Sequence, residues 1–326
     1  GELRIELFDA DRASRWLARW PVMPAALAHT TVKGTGAFTA NWRGGWRNQA
    51  RELQVQADLE LPRLELRAAD ATPAQGWRLG GVKAGLTGSL AALRFSVSGG
   101  AEAGSRRFTL LAQAQGGRIA DGAWQAGLDA LTLDAQDSRQ PGTWTLQLAP
   151  GVTLDWKGSA ATQQLQVSAG TASLSGPAPG VARLRWQPAR WTRRDAGAAQ
   201  WRSQGELKDL PLAWLALLAG AKVSNLAGSG DMMLGGTWDL AAGDTLRLRA
   251  QLERTSGNLR LQADDDGSGL MSAGVREARI SLSADGPDLS ASMRWDSERA
   301  GQVNGSFKSR LQRQGDGWAW PEDTPV

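Results

Sequence analysis

Leu53-Gln54-Val55-Gln56-Ala57-Asp58-Leu59-Glu60-Leu61 alternates apolar and polar side chains without a break. A period of two is what a strand shows when one face meets apolar matter and the other meets water. The alternation returns at Leu64-Glu65-Leu66, Leu93-Arg94-Phe95-Ser96-Val97, Leu131-Thr132-Leu133, Trp144-Thr145-Leu146-Gln147-Leu148, Leu165-Gln166-Val167 and Leu184-Arg185-Trp186. It continues through Leu246-Arg247-Leu248-Arg249-Ala250-Gln251-Leu252, Ile280-Ser281-Leu282 and Met293-Arg294-Trp295. Clusters of Gly, Pro, Asp and Ser between these runs supply turn chemistry. The chain is therefore predicted to be mostly β, with roughly twenty short antiparallel strands.

Two helical patterns interrupt the series. Residues 11–20 place Trp16, Leu17 and Trp20 on one side and end at Pro21; residues 210–219 follow Asp209 as N-cap and end at Gly220. Each opens a similar stretch. Gly34-Thr35-Gly36 is answered by Gly228-Ser229-Gly230, Leu53 to Leu59 by Leu246 to Leu252, and Leu64-Glu65-Leu66 by Leu259-Arg260-Leu261. Val82 is answered by Val275, and Asp121-Gly122-Ala123-Trp124 by Asp316-Gly317-Trp318. This predicts an internal duplication: a first unit over 1–200 and a truncated second over 201–326. Recurrence at this scale favours a quasi-linear β architecture.

Chemistry-bearing motifs are scarce. The chain has no cysteine, which excludes disulfides and thiolate metal sites, and its one histidine, His29, excludes a multi-histidine site. Asp264, Asp266 and Ser268 match the first, third and fifth positions of a calcium loop, but Val275 stands where the bidentate Glu belongs, so an exposed turn is expected. Gly34-Thr35-Gly36 and Gly228-Ser229-Gly230 lack the third glycine of a dinucleotide fingerprint. There is no phosphate-binding Gly-Lys-Ser/Thr and no nucleophile elbow. Asn304-Gly305-Ser306 formally fits a glycosylation acceptor, and Asn-Gly reads at least as naturally as a turn or bulge. No catalytic residue, metal or cofactor is predicted, and the chain is expected not to be an enzyme. The net charge of +4 is spread along the chain, which argues against a nucleic-acid patch. Trp is the one aromatic used heavily, with 16 in the chain, and it recurs beside Gly in Trp42-Arg43-Gly44, Trp156-Lys157-Gly158 and Gly236-Thr237-Trp238; a carbohydrate platform is one reading, and packing over glycine at strand ends is the expected one. With no Tyr at all, the aromatic girdles of an outer-membrane barrel are not seen.

The remaining candidate is the apolar face itself. A sandwich or barrel would hide that face against itself. A sheet curled into an open trough would leave a continuous apolar channel, and contiguous exposed apolar surface marks a binding site.

In combination, several segments resemble the TamB family of translocation-and-assembly proteins, within the AsmA-like bridge-type lipid-transfer superfamily. They are Leu210-Pro211-Leu212-Ala213-Trp214-Leu215-Ala216-Leu217-Leu218 leading to Leu226-Ala227-Gly228-Ser229-Gly230; Ala114-Gln115-Gly116-Gly117 followed by Trp124-Gln125-Ala126-Gly127-Leu128-Asp129-Ala130-Leu131-Thr132-Leu133; Trp144-Thr145-Leu146 leading to Pro150; and Gly257-Asn258-Leu259-Arg260-Leu261. The likeness covers essentially the whole chain, as the repetitive middle of such a protein. It implies an elongated antiparallel β-groove, a folded trough of taco-like section with an apolar interior and two short helices. It also implies a periplasmic location in a Gram-negative cell, with an N-terminal inner-membrane anchor outside this segment. The implied partners are phospholipids and, through other regions, the outer-membrane barrel component of the assembly module. No nucleic acid is expected. On this reading the groove is lined by Leu53, Val55, Leu59, Leu93, Phe95, Val97, Phe108, Leu110, Leu131, Leu133, Leu146, Leu148, Leu165, Val167, Leu246, Leu248, Leu252, Ile280, Leu282, Met293 and Phe307. Two roles are implied: conducting phospholipid acyl chains between membranes, and a chaperone-like scaffold that receives outer-membrane protein strands at its edges.

Overall fold

The computed structural model describes residues 1–8, 10–12, 30–45, 53–68, 76–159, 161–194, 198–214, 230–262, 270–314 and 317–319. Nearly all of these are antiparallel strand, as the alternation predicts, with helical turns only at 10–12 and 212–214. The chain divides into two compact units, Gly1–Leu154 and Asp155–Val326. That division follows contact density, whereas the boundary at 200/201 followed sequence recurrence.

Unit 1 is a meander of β1 (Glu2–Leu7), β2 (Thr30–Arg43), β3 (Gln54–Ala68), β4 (Trp77–Ser89), β5 (Ala92–Ala103), β6 (Arg106–Ala120), β7 (Ala123–Asp137) and β8 (Gln140–Leu148). Each strand pairs with the next. From β4 onward the connections are two-residue turns: Leu90-Ala91, Gly104-Ser105, Asp121-Gly122 and Ser138-Arg139. Such tight turns fix the register, and register decides which side chains share a face. A strand β9 (Val152–Gly158) spans the boundary between the units.

Unit 2 repeats the design with broken strands. β10 (Thr162–Val167) and β11 (Gly170–Ser175) pair with β13 (Ala189–Arg194) and β12 (Val181–Trp186) in one unbroken register. Between β12 and β13 lies Gln187-Pro188; proline has no N–H to give the ladder, and only Gln187 N keeps a bond, 2.9 Å to Gln204 O. Then follow β14 (Gln200–Pro211), β15 (Met233–Ala242), β16 (Arg247–Ser256), β17 (Arg260–Gln262), β18 (Leu270–Ser272), β19 (Val275–Asp285), β20 (Asp288–Ser297) and β21 (Gly301–Arg310). β17 pairs with β18 in the register that β16 keeps with β19, so β16 continues into β17, and β18 into β19, each as one long strand interrupted at a bend. A short ribbon of β22 (Gln312–Gln314) and β23 (Gly317–Ala319) follows.

Two stretches share a backbone plan. β2 to β6 and β15 to β21 run through the same sequence of pairings. In unit 1 the register slips once between β2 and β3 and once between β4 and β5, so β3 and β4 each carry an extra residue at neighbouring points. In unit 2 it slips between β15 and β16 and between β19 and β20, at the matching places. The glycines agree as well. Gly34 has φ 140° and faces Arg63 O and Leu64 Cα; Gly230 has φ 146° and faces Asn258 O and Leu259 Cα. A side chain at either would meet the neighbouring backbone, so both bends require glycine.

Three local expectations are corrected. Leu210 and Pro211 finish β14 rather than starting a helix, and Leu212 N still bonds Met232 O at 2.9 Å. Asp209 is not an N-cap: it sits at φ 56° in a slip of β14 against β15, and its carboxylate accepts from Arg183 at 2.6 Å. Cross-strand pairing outweighs the local helical pattern there. Asn304-Gly305 lies inside β21, with Gly305 opposite Met293, and not in a turn. Residues 13–29, 215–229 and 263–269, which hold His29, Gly228-Ser229, the acidic run and most of both expected helices, lie outside the described residues.

Candidate functional site

Residues directly opposed in an antiparallel pair lie on the same face. Tracing one such row through unit 1 gives Ile5, Phe38, Leu59, Ala84, Val97, Ala112, Leu131 and Leu148, one residue from each of eight strands. The next row gives Leu3, Ala40, Ala57, Leu86, Phe95, Ala114 and Leu128. Both rows are wholly apolar. A row on the opposite face gives Arg4, Thr39, Asp58, Gly85, Ser96, Gln113 and Ala130. The extra residues in β3 and β4 occur side by side, so Leu64, Leu66, Trp77 and Leu79 return to the apolar face beyond the bend.

Unit 2 is built the same way. One row reads Gly170, Trp186, Gly205, Trp238, Ala250, Leu282, Ala291 and Phe307. Its neighbour reads Ala172, Leu184, Leu207, Gly236, Leu252, Ile280, Met293 and Gly305. Glycine alternates with the large rings because the ring needs the space. A Cβ on Gly205 would strike the Trp238 indole, whose Nε1 donates to Ser203 Oγ at 3.0 Å.

Of the predicted lining residues, Val55, Leu59, Leu93, Phe95, Val97, Phe108, Leu110, Leu131, Leu133, Leu146 and Leu148 share the apolar face of unit 1. Leu248, Leu252, Ile280, Leu282, Met293 and Phe307 share that of unit 2. Leu165 and Val167 oppose Trp191 and Ala189. Leu53 and Leu246 precede β3 and β16 at equivalent points and are buried. Reading short alternating runs missed the apolar residues of β1, β2 and β4, and most of the tryptophans. Register is the signal that gathers them. Tryptophan packs on glycine as expected at Trp156 and Gly158, whereas Trp42 lies on Gly1 and Trp238 on Gly205 across the sheet.

The apolar face is only half covered. Trp214 and Leu53 are the largest side chains that are fully buried, while Phe95, Ile280, Met293, Val303 and Phe307 are 42–51% exposed. Rings cover part of the surface: Trp77 and Phe108 approach to 5.7 Å across the intervening β5, and Trp191 lies 6.1 Å from Trp156 and 6.2 Å from Trp201. One packed cluster, Leu246, Ala284 and Leu289 with Leu311 and Trp318, lies at the turn end of unit 2. Another, Met232, Leu234, Leu259, Ala273 and Val275, lies at the bend. Between them Ile280 and Met293 stay open. No protein family, curated protein or solved structure matches the chain.

The polar face carries the charge. Arg63 donates to Glu65 at 2.7 Å and holds its carboxyl below the usual range. Arg279 and Arg294 oppose each other directly, and Glu277 lies 3.9 and 3.8 Å from them, with Glu253 3.0 Å from Arg279. The larger recesses open on this face. One of about 500 Å³ in unit 1 is lined by Thr87, Arg94, Gln115 and Gln125, and one of about 1310 Å³ in unit 2 by residues of β14 to β21. Among the described residues no three His, Cys, Asp or Glu side chains gather as a metal site, and no helix is long and apolar enough to cross a membrane.

Proposed function

We propose that the apolar face carries phospholipid acyl chains, in the manner of the TamB family that the sequence resembles, in the periplasm between the inner and outer membranes. The supporting observation is the row from Ile5 to Leu148, which crosses eight strands without a polar residue. Strands sit ~4.8 Å apart, so such a row offers an apolar path of roughly 35 Å. Each methylene removed from water contributes ~0.8 kcal/mol, on the order of 12 kcal/mol for a sixteen-carbon chain. Leu, Val, Ala and Phe alternate with no charge among them, so a chain sliding along the row meets no deep trap. The polar face stays in water and leaves the headgroup free.

Photoreactive residues placed at Phe95 and Phe307 test this in cells. Capture of phospholipid at both supports the conduit. Capture of none, while the polar-face position Gln113 gives the same background, would sink it.

A second reading rests on β21. It pairs only with β20 among the described residues, and nine of its ten residues are exposed. A strand with one ladder partner among the described residues can receive an added strand along its other side. Cross-links from Asn304 to unfolded barrel strands, with no lipid at Phe307, favour this chaperone-like role.

A further inference from the structure

The 1310 Å³ recess of unit 2 lies on the face that the lipid reading leaves idle. Arg202, Arg247, Arg249 and Lys308 line it, and among the described residues none of these four makes an ion pair or a side-chain hydrogen bond. Three acids line it as well and offset the positive charge in part. Asp285 opposes Arg247 and Asp239 opposes Arg249 in register, yet neither pair closes to an ion pair, and Asp288 is taken by Arg310 at 3.2 Å. Arg202 also stands directly opposite Arg190, whose guanidinium reaches only Gln166 at 3.5 Å. Like charges directly opposed destabilise a sheet. Elsewhere the same opposition, Arg279 against Arg294, is relieved by Glu253 and Glu277. Here, among the described residues, no carboxylate closes to an ion pair with the guanidinium of Arg190 or Arg202.

The row between Arg249 and Lys308 consists of Ser283 and Ser290. Their hydroxyls are 2.7 Å apart. One donates to the other, so the second keeps its O–H for a further acceptor. Two cations that flank a free hydroxyl donor match an oxyanion that accepts several charge-assisted bonds. We infer that this recess binds a phosphate-bearing anion, seated on Ser283 and Ser290 with Arg249 and Lys308 closing on it from either side, while Arg202 and Arg247 meet a second charged group. The size of the recess suits a ligand larger than a single phosphate.

Pyrophosphate and vesicles of phosphatidylglycerol, with phosphatidylcholine vesicles as the neutral control, are titrated into the whole chain by calorimetry. Saturable pyrophosphate binding identifies a soluble phosphate ligand. Binding of phosphatidylglycerol vesicles without pyrophosphate binding identifies a lipid headgroup. In either case Arg249→Gln with Lys308→Gln is expected to weaken binding at least ~10-fold, given the strength of charge-assisted bonds. Ser283→Ala with Ser290→Ala, which keeps every charge, is expected to weaken it less but measurably. Failure of both ligands to bind overturns the inference, as does binding that both double variants leave unchanged.

Discussion

Single residues matter most where the backbone bends. Gly34→Ala and Gly230→Ala place a Cβ against a neighbouring strand's backbone at φ 140° and 146°, and each is expected to cost ~2–4 kcal/mol in a urea melt. Gly286→Ala has φ 57° but open space around it, so only the conformational cost of ~1 kcal/mol is expected. Trp214 is 0% exposed and donates Nε1–H to Ala178 O at 3.1 Å; Trp214→Ala is expected to cost ~3–5 kcal/mol in the same melt. Beside Gly230, Asp231 accepts the Asn258 N–H at 2.9 Å, and that bond, with its own N–H, holds its carboxyl below the ordinary 3.8. A depressed acid stabilises above its unfolded value and loses that contribution as pH falls through its folded value. The gap in urea midpoint between the native chain and Asp231→Asn should therefore narrow as pH drops below 3.8, and an unchanged gap would remove the assignment. None of this was legible in the sequence beyond the glycine pairs, because a glycine's φ depends on what crosses behind it.

At the scale of elements, alternation made the strands legible and turn residues placed most of their ends. Faces were legible strand by strand but not across the sheet. The Leu64-Glu65-Leu66 run is out of step with Val55 to Leu59, and only the extra residue in β3 restores it to the same side. The residues 210–219 show the opposite error: a helical pattern whose first two members the ladder of β14 and β15 captures. The edge strand β21 gives a direct prediction. Its far side meets no other strand among the described residues, so, Phe307 and Ser309 apart, its outward amides should exchange with solvent far faster than those of β20. Uniform protection along both strands in hydrogen exchange would show that something pairs with that edge.

For the whole molecule, every strand of unit 1 from β1 to β8 pairs with its neighbours in sequence, and unit 2 does so through its broken strands. Stability in such an array is close to a sum of neighbour terms. Denaturant-dependent hydrogen exchange should then give different midpoints for peptides from β5 and from β20, rather than one shared transition. A charge in the open apolar row has a separable effect. Ile280→Lys, at a side chain 51% exposed, should leave the fold intact while cutting lipid capture at Phe307 severalfold. Equal capture would mean that lipid does not cross that row. The paired extra residues of β3 and β4, and of β16 and β19, carry one more consequence. An odd residue in one strand changes which sequence positions face the apolar side beyond it; a second, placed beside it, keeps the two strands in step with each other. The sheet thus behaves like a message with a parity bit. At the bend its length changes come in adjacent twos, whereas β7 absorbs the lone Asp129 as a bulge with Leu131 and Leu128 still on the apolar face.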